Sequence, residues 1–153
     1  MDDRRLYFLL ALAAHRAQRH VDGVLAAELG ITAVQCGALL YLRQHEGCLL
    51  KELGAGLGLA SSGTTGLVAR LEKAGLIERE DDASDGRAVR LRLSRAGRRA
   101  TDRALPRVRE LQGALSDGFS ADELAIVARF LGRAIDRFST PDDPHNSNSG
   151  ATP

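Results

Sequence analysis

The sequence predicts a mainly α fold of the α+β kind, in which long helices at both ends flank two short helices and a two-stranded hairpin. Three observations predict it. Apolar residues recur at helical spacing through residues 3–29 and again beyond residue 94. A glycine-punctuated pair of short helical segments fills the middle, and strict alternation over 89–93 marks a strand. With 153 residues, 44% hydrophobic and 27% charged, the chain suits one domain with appended helices and can bury a core. No apolar run approaches the roughly 18–20 residues that span a bilayer. The apolar stretch 6–14 precedes Arg16 and Arg19 and lacks a small-residue cleavage pattern, so it reads as a helix rather than a signal peptide. Two cysteines and no secretion signal argue against a disulfide scaffold and for a cytoplasmic address.

Each element has its own signal. Leu6, Leu9, Leu10, Ala13, Ala17, Val24, Leu25 and Leu29 place a helix over 3–29, stopped by Gly30. Thr32 with Gln35 forms a capping-box signature for a second helix to about residue 46. A short helix over 49–58 carries Leu50, Leu53 and Leu57 but is weakened by Gly54, Gly56 and Gly58, so tertiary packing must hold it. A stronger helix spans 61–74, with Thr64, Leu67, Val68 and Leu71 as its buried stripe and Gly75 closing it. Strands follow at 76–80 and 89–93; in the second, Val89, Leu91 and Leu93 point inward. Ser84-Asp85-Gly86 marks the turn between them. A helix from Ser94 to about residue 115 contains Pro106, which predicts a kink or break near 101–105. Ser120 with Glu123 opens a last helix to about residue 138, and 140–153, rich in Pro, Ser, Asn and Asp, reads as a disordered tail.

Net charge is only +1, but its distribution is uneven. Residues 87–109 hold nine arginines against one acid, Asp102, a net of +8, while 1–86 carry −3 and 110–153 carry −4. Such segregation is the footprint of a polyanion contact; a solvated arginine-rich helix is its plainer explanation.

Two short helices, a tight turn and a hairpin together make a winged helix-turn-helix over 31–94, an arrangement suited to duplex DNA. The outer face of helix 61–74 offers Ser61, Ser62, Gly63, Thr65, Gly66 and Arg70, small or hydroxylic except for the arginine, so the backbone can come close to base edges and phosphates. Arg87 at the hairpin tip is placed to enter a narrow minor groove, with Asp85 orienting it and Arg90 on the outer strand face. As turn residues alone, Asp85 and Arg87 would form a solvated pair worth about 0–1 kcal/mol.

The run from Leu67 to Arg79 (Leu-Val-Ala-Arg-Leu-Glu-Lys-Ala-Gly-Leu-Ile-Glu-Arg), the spaced Asp82, Asp85 and Arg87, and Leu93-Ser94-Arg95-Ala96-Gly97 resemble the MarR family of bacterial transcription regulators. Thr32, Gln35 and Leu39 also match, and the likeness covers about residues 5–138. It implies a homodimer in which 1–30 and 95–139 form the dimerisation helices and two winged helices meet successive major grooves of a pseudo-palindromic operator. It implies a repressor released by a small, often phenolic, effector or by an oxidant, and by analogy with the family a pocket near Arg16 and Cys36; no cofactor or metal is expected. The apolar surface of the end helices, more than a winged helix can cover, agrees with a dimer. Departures are the bare Gly63, Gly66 and Ala69 on the reading helix, Ala60 where a serine cap is usual (leaving Ser61 to cap), and acids at 80–82. Cys36-Gly37, where an aromatic is common, suggests a cavity.

Two alternatives remain: a winged-helix protein-interaction module without DNA binding, and a cysteine-based redox regulator. The redox sensors of the family resemble one another in a cysteine near the start of the first helix, which this chain lacks; buried inert thiols are the commoner fate of Cys36 and Cys48. His15, His20 and His45 lack metal-ligand spacing. Gly58 to Thr65 nearly spells a P-loop but lacks its lysine, and no nucleophile–base–acid spacing indicates an enzyme.

Overall fold

The computed structural model describes residues 5–81 and 89–138. Helices α1 (Leu6–Leu29), α2 (Ala33–Gln44), α3 (Leu50–Leu57), α4 (Ser61–Lys73), α5 (Arg95–Ser116) and α6 (Ala121–Phe138) accompany strands β1 (Cys48–Leu49), β2 (Ile77–Asp81) and β3 (Val89–Leu93). The sheet is antiparallel in the order β1-β3-β2, with Cys48 opposite Leu91 and Ile77 opposite Leu93. Strand β1 was not expected: at two residues it is too short for any alternation to show, and its partner lies 43 residues away in Leu91.

The local signals for helix ends act largely as read. Thr32 Oγ1 accepts from the Gln35 N–H at 3.2 Å while Gln35 Oε1 accepts from the Thr32 N–H at 2.9 Å. Asp22 of α1 accepts from the Ala33 N–H at 2.7 Å, pinning the start of α2 to α1. Ser120 and Glu123 make the same reciprocal cap on α6. Helix α5 contains Pro106 without a break; of the kink or break expected there, the break does not occur. Only one backbone hydrogen bond is lost there, and Arg103 and Arg107 anchor the helix on either side to Glu28.

Leucines from five elements fill one core: Leu25, Leu39, Leu42, Leu53, Leu67, Leu71 and Leu91 are all essentially sealed from solvent. Burying such side chains contributes about 1.5–3 kcal/mol each. The buried stripe of α4 is Thr64, Leu67, Val68 and Leu71, as the spacing predicts. In β3, Leu91 and Leu93 are buried and Val89 is half-buried. The glycines expected to weaken α3 serve close packing. A Cβ on Gly54 would lie 2.6 Å from Thr64 Oγ1 of α4, and one on Gly56 would collide with the Tyr41 ring of α2.

The outer helices are different. On α1 the first three turns expose Leu6, Tyr7, Phe8, Leu9, Leu10 and Leu12, and α6 buries no residue at all. Ile126, Val127, Phe130, Ile135 and Phe138 of α6 stand in solvent. Among the described residues no single helix is long and apolar enough to cross a membrane.

Candidate nucleic-acid interface

Helix α3 ends at Gly58 in the left-handed conformation (φ +64°), which turns the chain sharply into α4. The N-cap of α4 is Ala60, and no side chain caps the helix; Ser61, expected to do so, does not. Its first amides are therefore left to solvent, and the helix dipole adds partial positive charge at that end. Ser61, Ser62, Gly63, Thr65, Ala69 and Arg70 are exposed and Gly66 half-exposed. Nothing lies within 4 Å of where a Cβ on Gly63 would stand, so this stretch of helix presents bare backbone. The Thr65 hydroxyl donates to the Ser61 carbonyl at 2.9 Å, which leaves its oxygen to act as an acceptor. Arg70 takes no hydrogen bond or ion pair among the described residues.

Asp85 and Arg87 lie outside the described residues. Arg90 is half-buried, and its Nη1 donates to the Gly47 carbonyl at 2.9 Å, tying the turn before β1 to β3. The acid expected to repel phosphate at the base of the hairpin is partly neutralised: Glu80 pairs with Arg92 across the β2–β3 ladder.

Most of the positive segment 87–109 is engaged within the molecule. Arg98 pairs with Glu46, Arg103 donates to the Glu28 carbonyl at 3.0 Å, and Arg107 bridges Glu28 and Glu110. Among the described residues, Arg95, Arg99 and Arg109 take no such partner and are exposed. Of the charge cluster that looked like one polyanion footprint, three arginines (Arg98, Arg103 and Arg107) tether α5 and two (Arg90 and Arg92) bond at the sheet. Arg95 and Arg99 were not singled out in the sequence, because nothing local tells a paired arginine from a free one.

The remaining sequence candidates are scattered. Arg16 is exposed on α1, whereas Cys36 is 3% exposed within the core. Leu57 Cδ2 lies 3.6 Å from where a Cβ on Gly37 would stand, so the space beside Cys36 is occupied. A groove of about 730 Å³ lies between the start of α1 and the end of α6, lined by Leu6, Tyr7, Leu10, Phe130, Arg133 and Phe138 among others. Both cysteines are free and buried. Burial pushes the Cys36 thiol up, and burial together with the nearby Glu52 carboxylate pushes Cys48 up to about 11. His45 stacks on Tyr41 with ring centroids 4.2 Å apart. No group of three His, Cys, Asp or Glu among the described residues could hold a metal ion.

A braced helix with a bare, hydroxyl-lined outer face, beside a three-stranded sheet, defines a winged helix-turn-helix protein of the DNA-binding class. Residues 29–88 match the family model described as MarR family. The chain is 32% identical over 103 residues to the organic hydroperoxide resistance transcriptional regulator of Bacillus subtilis, covering 67% of this chain and 69% of that one. Its fold matches Sco3205, a MarR family regulator from Streptomyces coelicolor solved in complex with DNA, with a TM-score of 0.85 at 22% identity over 93% of this chain and 91% of that one. It also matches the PcaV regulator of Streptomyces coelicolor, solved with its natural ligand, with a TM-score of 0.74 at 25% identity over 89% and 93% of the two chains. The chain belongs to the MarR family and is a DNA-binding transcriptional regulator, not an enzyme.

Proposed function

We propose that the protein is a repressor that binds a pseudo-palindromic operator as a homodimer and leaves it when a small effector binds. The observation that carries the DNA contact is the split of α4 into a sealed face (Thr64, Leu67, Val68, Leu71) and an open one (Ser61, Ser62, Gly63, Thr65, Gly66 and Arg70). An α-helix fits the major groove, and small side chains let its backbone approach phosphates and base edges. Arg87 and Asp85 complete the contact as minor-groove probe and its orienting partner; Arg90, already bound to Gly47, acts through the stiffness it gives the hairpin base.

Exposed rings and aliphatic side chains on α1 and α6 support the homodimer, since a contiguous apolar face of this extent is characteristic of an interface. Release by a small effector is supported by the PcaV structure, solved with its natural ligand; its aromatic or phenolic character is what the family resemblance implies. In that reading Arg16, exposed on α1, is the residue open to the effector, whereas Cys36 lies in the core with the space beside it filled. The redox alternative is disfavoured by two buried thiols held in the protonated form.

Gel retardation with the DNA upstream of the protein's own coding region tests this. Retardation at low salt that weakens steeply with log salt is expected, with Arg87→Ala reducing the slope by about one. No retardation at low salt would overturn this reading and leave the winged helix as a protein-interaction module.

A further inference from the structure

Helix α5 is joined to its neighbours by a seam unlike the rest of the core. Its sealed residues are the small Gly97, Thr101 and Ala104, and its larger apolar side chains, Leu105, Val108 and Leu111, are only half-buried, so the contact removes less apolar surface from water than the sealed leucines of α2, α3 and α4. Charged groups supply the grip. Arg43 of α2 donates to Thr101 Oγ1 at 2.9 Å and to Asp102 Oδ1 at 2.5 Å. Arg98 reaches Glu46 just past the end of α2, and Arg107 reaches Glu28 of α1 at 2.5 Å. Side chains in these pairs are 32–63% exposed, so dissolved ions can screen them. Screening length falls from about 10 Å at 0.1 M salt to about 3 Å at 1 M. The leucine contacts among α2, α3 and α4 have no such dependence.

We infer that the α5 seam is an ionic latch: α5 comes away from α1 and α2 in a reversible opening that salt promotes and that leaves the leucine core folded. Since α5 is the stretch of chain between β3 and α6, the latch governs how the last two helices sit against the reading module. This inference concerns the free protein and does not depend on DNA being its partner.

Amide hydrogen exchange on the full chain at 0.05, 0.15 and 0.5 M NaCl tests it, comparing residues 98–108 with 67–71. Exchange in α5 is expected to speed up roughly three- to tenfold over this range while α4 stays constant, since each exposed pair is worth up to about 1 kcal/mol. The double variant Glu28→Gln, Glu46→Gln should show faster α5 exchange already at 0.05 M and lose most of its salt response, the part that remains coming from Arg43 and Asp102. Exchange in α5 indifferent to salt, or α5 and α4 accelerating together, would overturn the latch. Should the double variant fail to fold, the salt series on the unaltered protein decides alone.

Discussion

Gly97, in the first turn of α5, lies directly against the backbone carbonyl of Leu76, and a Cβ at that position would collide with the oxygen. Two further bonds close this corner: the Ser94 N–H donates to the same Leu76 carbonyl at 3.1 Å, and Ser94 Oγ donates to the Gly75 carbonyl at 2.6 Å. The end of the reading helix, the central strand and α5 thus meet at one backbone-to-backbone contact.

Gly97→Ala should therefore destabilise, even though alanine is the better helix former by about 1 kcal/mol. Neither the Leu76 carbonyl nor the α5 backbone can move without disturbing the corner, and overpacking of this kind typically costs about 1–3 kcal/mol. Urea unfolding should show a lower midpoint with an unchanged slope. An unchanged or raised midpoint would mean that the corner is softer than it looks.

At Gly63 the opposite holds for stability. Space is open there, so Gly63→Ala should stabilise by about 0.5–1 kcal/mol through helix propensity. The same methyl group would stand between helix and DNA, so operator affinity should fall while thermal stability rises. A variant that gains both stability and affinity would place the DNA on another surface.

Both thiols should react slowly with iodoacetamide in the native protein at pH 8 and promptly once it is unfolded. Cys48 has its value raised to about 11, so the folded state holds a proton that the unfolded chain gives up near the ordinary thiol value of 9.0. Stability should accordingly fall as pH rises from about 9 toward 11, and Cys48→Ser should flatten that part of the profile. Fast native labelling of Cys48 at pH 7 would revive the redox reading.

The α6 cap predicts the reverse dependence on the acid side. Hydrogen bonds from the Ser120 N–H and hydroxyl hold the Glu123 carboxyl below its ordinary 4.5. A depressed carboxylate stabilises the fold above the unfolded value and loses that contribution as pH falls through the folded one. Fraying of the first turn of α6, followed by amide exchange, should therefore begin below pH 4.5, and Glu123→Gln should remove the dependence. Fraying with an unaltered midpoint in Glu123→Gln would assign it to another group.

What was legible in the sequence is what local rules control. The Thr32–Gln35 and Ser120–Glu123 caps involve neighbours three residues apart, and the sealed stripe of α4 repeats at helical spacing. Contacts set by distant partners were not legible. Arg98 and Glu46 are 52 residues apart, Arg107 and Glu28 79 apart, and the sequence shows only nine arginines in a row of 23 residues. Gly54 and Gly56 looked like weak points in α3 because the groups that need their missing side chains, Thr64 and Tyr41, come from other helices. The unsupported cap at Ala60 shows a further limit: Ser61 has the right side chain but enters one position too late to serve.

The most direct test of the reading face is Ser62→Glu. Ser62 is exposed in the first turn of α4, where a carboxylate favours the helix dipole, so folding should be unharmed or slightly improved. Facing phosphate, the same charge should weaken operator binding by about tenfold or more, read by fluorescence anisotropy at fixed salt. Unaltered affinity in a normally folded Ser62→Glu protein would contradict the assignment of α4 as the element that meets DNA.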